Sequence, residues 1–186
     1  MLFGSKSKTK QVPVLTLREV VVFPSETKSL VIGRPQSVAN LLKADSADKS
    51  ILLVMQRDAD EKNPKANGLH PVGTIAKILQ VLRLPDNKYR VLVRGVTRAT
   101  IENIQVSELL WMASYSLLEK SDGADEPDAQ VDVLMRLLKE RFEHLSTVDS
   151  DIPSEMVKAV QGQRDPSKLS DTLAPRLCSD VLQQPD

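Results

Sequence analysis

The chain of 186 residues carries 25 Lys and Arg against 25 Asp and Glu, and its aromatic content is 3%. A neutral chain offers no net field to draw in polyanions, and so few rings give bases little to stack on, which argues against a nucleic-acid partner. No run approaches the roughly 20 apolar residues of a membrane-spanning helix, and at this length about 70% of the unfolded surface can be buried, enough for one large domain or two small ones.

The opening MLFGSKSKTK is basic and too short in apolar residues for a secretory signal; residues 1–10 read as a disordered charged tail, with a clipped organelle-targeting peptide as the alternative. In REVVVFPSETKSLVIGR, the run Val20–Phe23 lacks polar alternation and predicts a strand covered on both faces and ended by Pro24. Leu30–Ile32 predicts a neighbouring strand ended by Gly33. PQSVANLLKAD follows, with Ser37 placed to cap and Val38, Leu41 and Leu42 at helical spacing, a short amphipathic helix. Ile51–Met55 predicts another buried strand, and RDADEKNPKANG, with Pro64 and Gly68 among charges, a long exposed loop.

From Gly73 the pattern is strongly β: GTIAKILQVLRL, the turn PDNK, then YRVLVRGVTRATIENI, a hairpin. In the second arm Tyr89, Val91 and Val93 alternate with Arg90, Leu92 and Arg94 until Gly95, which predicts a bulge or sharp bend of the kind that turns corners in small barrels. LLWMASYSLLEK, Leu109–Lys120, supplies one more strand. About six strands on short turns with one helix between them point to a closed or nearly closed β-barrel over residues 11–120.

SDGADEPD, residues 121–128, is acidic and rich in breakers, a linker. Beyond it Val131, Leu134, Met135, Leu138, Phe142 and Leu145 form a helical stripe. IPSEMVKAVQG is a proline-first, glycine-last helix, and DPSKLSDTLAPRL starts with Asp165 as cap and sets Leu169, Leu173 and Leu177 on one face, with Pro175 expected to kink or end it. Residues 129–186 thus read as an α-helical bundle that stops early. The fold class is α+β.

Chemistry is sparse. No GxxxxGK[ST] phosphate loop is present, His70 and His144 stand far apart outside any metal spacing, and Cys178 has no partner cysteine, which suits a reducing, cytoplasmic location. His70 reads as a turn residue, His144 as a solvated one and Cys178 as a small buried hydrophobe. Asp122, Asp125, Glu126 and Asp128 lack the spacing of a calcium loop. No catalytic, cofactor or metal residues are expected. Arg83, Lys88, Arg90, Arg94 and Arg98 make the hairpin locally basic, either a strip for RNA phosphates or, more simply, a sheet face protected by charge against edge pairing.

PVLTLREVVVFP, LVIGR and VGTIAKILQVLRLPDNKYRVLVRGVTRATI, in this order and spacing, closely resemble the N-terminal domain of the ATP-dependent protease Lon. That family runs approximately L-P-L-R-D-x-V-x-F-P, then P-L-x-V-G-R, then V-G-T-x-A and a hairpin ending in V-x-G-x-x-R. Leu15, Leu17, Arg18, Val20, Val22, Phe23, Pro24, Leu30, Gly33, Arg34, Gly73, Thr74, Ala76, Gly95 and Arg98 match it, and DIPSEMVKAV with DPSKLSDTLA resembles the helical part that follows. Thr16 stands in place of proline and Glu19 in place of aspartate, and Ser25, Glu26, Lys28 and Ser29 replace a more apolar stretch, which weakens any reading of that turn as a greasy contact surface.

The resemblance implies a pseudouridine-synthase-and-archaeosine-transglycosylase-like (PUA-like) barrel with one inserted helix, followed by a helical bundle. It implies a non-catalytic module that recognises unfolded or damaged proteins and helps assemble a hexamer, ahead of ATPase and Ser-Lys peptidase modules that this sequence does not contain. A free-standing adaptor and an RNA-binding PUA-like module are the alternatives. A receiver of unfolded chains must expose apolar surface, and the expected surface is the last strand, with Leu110, Met112 and Leu118 on one face and Trp111 and Leu117 on the other.

Overall fold

In the computed structural model of the chain, which describes residues 10–118 and 129–177, the strands are β1 (Gln11–Leu17), β2 (Thr27–Ile32), β3 (Ser50–Met55), β4 (Val72–Arg83), β5 (Tyr89–Ser107) and β6 (Leu110–Leu117), with helix α1 (Pro35–Asp45) between β2 and β3. Helices α2 (Ala129–Val148), α3 (Ser154–Gly162) and α4 (Pro166–Leu177) follow. The expected tail, the linker 121–128 with its acids, Lys120, Cys178 and the side chain of Leu177 lie outside the described residues. The chain divides into two compact units, Met1–Leu118 and Glu119–Asp186.

Val20–Phe23 forms no strand; the first strand lies upstream, at Gln11–Leu17. The run is apolar because it is buried, with Val22 in the core, but its backbone is pinned at points instead of along a ladder. Phe23 N–H donates to the Glu26 carboxylate at 2.8 Å, Ser25 N–H to the Gly95 carbonyl at 2.9 Å and Gly95 N–H to the Glu26 carbonyl at 2.9 Å. Accordingly β2 has no neighbour in that segment and pairs antiparallel with β5 from Thr27↔Arg94 to Ile32↔Tyr89.

β1 pairs parallel with β3, the one parallel pair of the sheet, and α1 supplies the crossover that parallel neighbours require. α1 starts one turn earlier in its capping than Ser37 suggests: Arg34 is the N-cap and Ser37 is buried inside the first turn. Leu41 and Ala44 bury the inner face of the helix against Leu15, Ile51 and Leu53. β3 and β4 are antiparallel, as are β4 and β5, and the hairpin turn has Asp86 and Asn87 at φ 59° and 55°, the left-handed pair that fits the twist of two joined strands.

β5 is 19 residues long and serves two neighbours on one side, β2 through its first part and β6 through Ala99–Ser107. Because β6 also pairs with β1 at Gln11–Pro13, hydrogen bonds run round β1, β3, β4, β5 and β6 and return to β1, while β2 hangs on β5 outside that circuit. The result is a mixed six-stranded sheet and not the clean barrel expected. What prevents a regular barrel is that one bent strand must close the wall and leave β2 with a free edge.

The bend falls where Gly95 predicts it. Ala76 pairs with Gly95 but Ile75 with Thr97, so Val96 is an extra residue. Gly95 is required for a second reason: a Cβ there would overlap the Phe23 carbonyl oxygen and stand 2.9 Å from its carbon. Two apolar clusters fill the sheet unit, one around Leu15, Val22, Leu41 and Val91, the other around Val14, Leu52, Ala99 and Trp111.

In the helical unit Phe142, Ile152, Val160, Leu169 and Leu173 form the core. Asp165 caps α4 as expected, its Oδ1 accepting from Ser167 N–H at 2.9 Å and Lys168 N–H at 3.3 Å. Lys139 Nζ donates to the carbonyls of Gln161 and Gln163, at 3.0 and 2.6 Å, and so ties α2 to the end of α3. Pro175 does not end α4, which runs on to Leu177. Of the α2 stripe, Phe142 is buried and Met135 and Leu145 pack beside it, whereas Leu134 and Leu138 are exposed.

Candidate functional site

The segment Arg18–Phe23, excluded from the ladder, separates two openings in the sheet unit. The first is a slot of about 420 Å³ bounded by Leu15–Val20 on one side and Ser29–Arg34 with Ser37 on the other. At its end Arg34 Nη1 and Nη2 each donate to Oε1 of Gln56 at 3.0 Å. Gln56, itself 1% exposed, spends its amide on the carbonyls of Asp58, Ala59 and Glu61, so the loop after β3 is tied to the start of α1. Partial burial, and secondly the positive charge of Arg18, hold the Arg34 pKa below its ordinary value. Thr16 also lines the slot, and its buried hydroxyl has no hydrogen-bond partner.

The second opening, about 320 Å³, is walled by Val20–Phe23, Leu17, Leu53 and Met55, and by His70–Thr74 with Arg98. The Arg98 guanidinium lies 6.0 Å from the centre of the Phe23 ring, within cation–π range. His70 reaches this opening half-buried, just past the bridge between Gln56 and Leu69, with its main-chain N–H on the Met55 carbonyl at 3.0 Å and not in a turn.

The residues expected to receive clients divide. Trp111 is 7% exposed and belongs to the second core cluster, and its main-chain N–H donates to Oδ1 of the buried Asn40 at 2.9 Å. Leu110 and Met112 are half-buried. Leu117 and Leu118, at 46% and 47%, are exposed. Leu117 pairs with Ala99 and Leu118 N–H donates to the Arg98 carbonyl at 3.1 Å, so this end of β6 adjoins the rim of the second opening. The strand itself is shorter than expected, because Leu109 belongs to the turn that follows Glu108, whose φ is 48°.

Arg90 and Arg94 are exposed on the outer face of β5, where Arg90 stands level with the exposed Val31 and Leu82 and Arg94 with Lys77. His144 is exposed on α2. Among the described residues no group of three or more His, Cys, Asp or Glu could hold a metal ion, and no helix is long and apolar enough to cross a membrane. Sequence reasoning missed Arg18, Arg34 and Gln56 as a group. Arg34 is signalled by its place between Gly33 and the helix-opening Pro35, but nothing local links it to Gln56.

This fold is shared with solved Lon N-terminal domains. The solved N-terminal domain of a Mycobacterium avium complex Lon protease superposes with a TM-score of 0.71 at 21% identity, covering 95% of this chain and 91% of that one. A Lon N-terminal domain protein from Xanthomonas campestris gives 0.53 at 15% identity, covering 90% and 98%. The profile of the ATP-dependent protease La (LON) substrate-binding domain matches residues 11–184, and the chain belongs to that family. It is 39% identical over 173 residues to the Lon protease of Xanthomonas oryzae pv. oryzae and 38% over 169 residues to that of Escherichia coli K12, covering 93% and 91% of this chain. The chain spans about a fifth of those relatives, 20% and 21% of their lengths.

Proposed function

We propose that the chain is the substrate-recognition part of a Lon-type ATP-dependent serine protease, holding unfolded or damaged polypeptides for degradation, contributing to a hexameric assembly and acting in the cytoplasm. The observation that carries this reading is the family match over nearly the whole chain. ATP hydrolysis and peptide cleavage then fall to parts of the protease outside these residues. Unfolded clients offer apolar side chains, and the end of β6 presents Leu117 and Leu118 beside an opening walled by Val20–Phe23. Leu110 and Met112 contribute from the same strand, and Trp111 reports on it from beneath.

The test is a titration with reduced, carboxamidomethylated α-lactalbumin, which stays unfolded. Binding is expected to be weak, about micromolar or looser, since a disordered client loses conformational freedom on docking. Leu117→Asp with Leu118→Asp should loosen it several-fold while leaving the fold intact by circular dichroism. Equal affinity in a folded double variant would place the receiving surface elsewhere, and no binding by the wild type would sink the reading itself.

A further inference from the structure

The slot beside Arg18 lies between two open strand edges. β2 pairs with β5 along its whole length and stands at the end of the sheet order, so among the described residues its other edge has no strand partner. β1 meets β6 only over Gln11–Pro13 and β3 over Val14–Leu17, so among the described residues its β6-side edge has no strand partner from Val14 onward. Each long wall of the slot is built from consecutive residues, Leu15–Leu17 and Ser29–Ile32. Side chains of a strand alternate between its faces, so a wall of consecutive residues is a strand edge, made largely of main chain. Unpaired N–H and C=O groups along such an edge are a template for a further strand.

Charge at the end of the slot selects what that strand carries. Arg18 and Arg34 form no ion pair among the described residues, and the one side-chain partner of Arg34 is the neutral amide oxygen of Gln56. Burial and the neighbouring Arg18 both disfavour the Arg34 charge, so a carboxylate arriving there relieves a standing repulsion. Glu19, exposed in the same wall, is the one acidic residue that lines the slot.

We propose that the slot receives an extended, carboxylate-bearing segment of a client polypeptide, which adds to the free edge of β2 through main-chain hydrogen bonds while its carboxylate pairs with Arg18 and Arg34. This rests on the substrate-binding reading and gives it a sequence preference: clients are held where an acidic group interrupts a β-prone stretch.

Short fluorescein-labelled peptides rich in valine and threonine test it by anisotropy. One carries a central glutamate and an amidated end, one glutamine in its place, and one glutamine with a free terminal carboxylate. Two more carry the glutamate and are N-methylated at alternate residues, each along a different edge. The glutamate peptide should bind about tenfold more tightly than its glutamine amide counterpart, the scale of a charge-assisted pair. Arg18→Gln should erase that difference, with Arg34→Gln as a second variant and a thermal melt to confirm folding. At least one N-methylated set should lose binding. A free-terminus peptide that matches the glutamate peptide extends the site to terminal carboxylates, and one that does not confines it to acidic side chains; both outcomes support the slot.

Glutamate and amidated glutamine peptides binding alike, or both methylated sets binding as well as the parent, would overturn the proposal. So would concentration-dependent dimerisation with no peptide bound, which would assign the edge to a second copy of the chain. Carboxamidomethylated α-lactalbumin run in parallel separates the two readings. If it binds while the peptides show neither dependence, the slot proposal falls alone; if nothing binds, both fall.

Discussion

Asn40 holds the start of β6 in place: its Oδ1 accepts from the main-chain N–H of Trp111 at 2.9 Å, across 71 positions of sequence, and Asn40 is fully buried. Its own Nδ2 donates back to the Gln36 carbonyl at 3.1 Å, so α1 and β6 are joined through one amide. Removing the acceptor strands a buried N–H. Asn40→Ala is expected to cost about 1–3 kcal/mol in denaturant unfolding, and Asn40→Asp no less, since its carboxylate keeps an acceptor for Trp111 but buries a charge against the Gln36 carbonyl. An unchanged unfolding free energy for Asn40→Ala would show that the bond to Trp111 contributes nothing at this position.

Gly95 leaves no room for a side chain against the Phe23–Pro24 backbone. The obstacle is main chain on both sides, so neither can step aside as a flexible side chain would. Gly95→Ala should already destabilise by about 1–3 kcal/mol, and Gly95→Val by more. Melting temperatures of the two variants check this; an unchanged value for alanine would show that the Val20–Phe23 segment yields easily.

Acid should loosen the helical unit. The Asp149 carboxyl is held below its ordinary pKa, first by the N–H of Asp151 at 2.9 Å and then by Arg176 at 3.0 Å. A lowered folded-state value means that the native unit binds fewer protons than the unfolded chain. The stability it contributes is therefore fully present above the unfolded value of about 3.9 and is lost as pH falls through the folded one. Helix content followed by circular dichroism during acid titration should fall less steeply in Asp149→Asn. Superimposable titrations would show that other carboxylates set the acid limit.

The chain by itself should turn over neither ATP nor peptide, since its sequence shows no phosphate loop and no nucleophile paired with a base, and its family match is to the substrate-binding domain. Purified chain assayed for phosphate release and for cleavage of a fluorogenic peptide checks this, with any turnover that survives repeated chromatography counting against it.

What the residues disclosed depended on the range of the forces involved. The β4–β5 hairpin was legible because its cause is local: alternating burial in Val91 and Val93 against Arg90 and Arg94, and a Pro-Asp-Asn-Lys turn whose middle residues accept positive φ. Asp165 as a cap was legible for the same reason. Val20–Phe23 misled because burial and strand formation share an apolar signature, and only the partners reveal whether a ladder exists. β1 was hidden in part by Pro13, which sits at the margin of its pairing with β6 opposite Met112. Leu117 and Trp111 share a strand face by parity, yet one is exposed and the other is core, a difference set by long-range packing that parity does not carry. The Arg34–Gln56 contact spans 22 positions and leaves no periodic trace.

The pairing of β1 with both β3 and β6 also sets an order of events. Leu15 can find Leu53 once the chain has grown past β3, but Val12 has no strand partner until Ala113 exists. The circuit of hydrogen bonds thus joins nearly the first residue of the unit to nearly its last, and closing such a loop forfeits chain entropy before any contact repays it. A ribosome making this chain from its N-terminus would hold the sheet open, with the apolar residues of β1 half-covered, for almost the whole synthesis of the unit. A domain read here as a holder of unfolded polypeptide is itself, until its sixth strand arrives, a polypeptide of the kind it would hold.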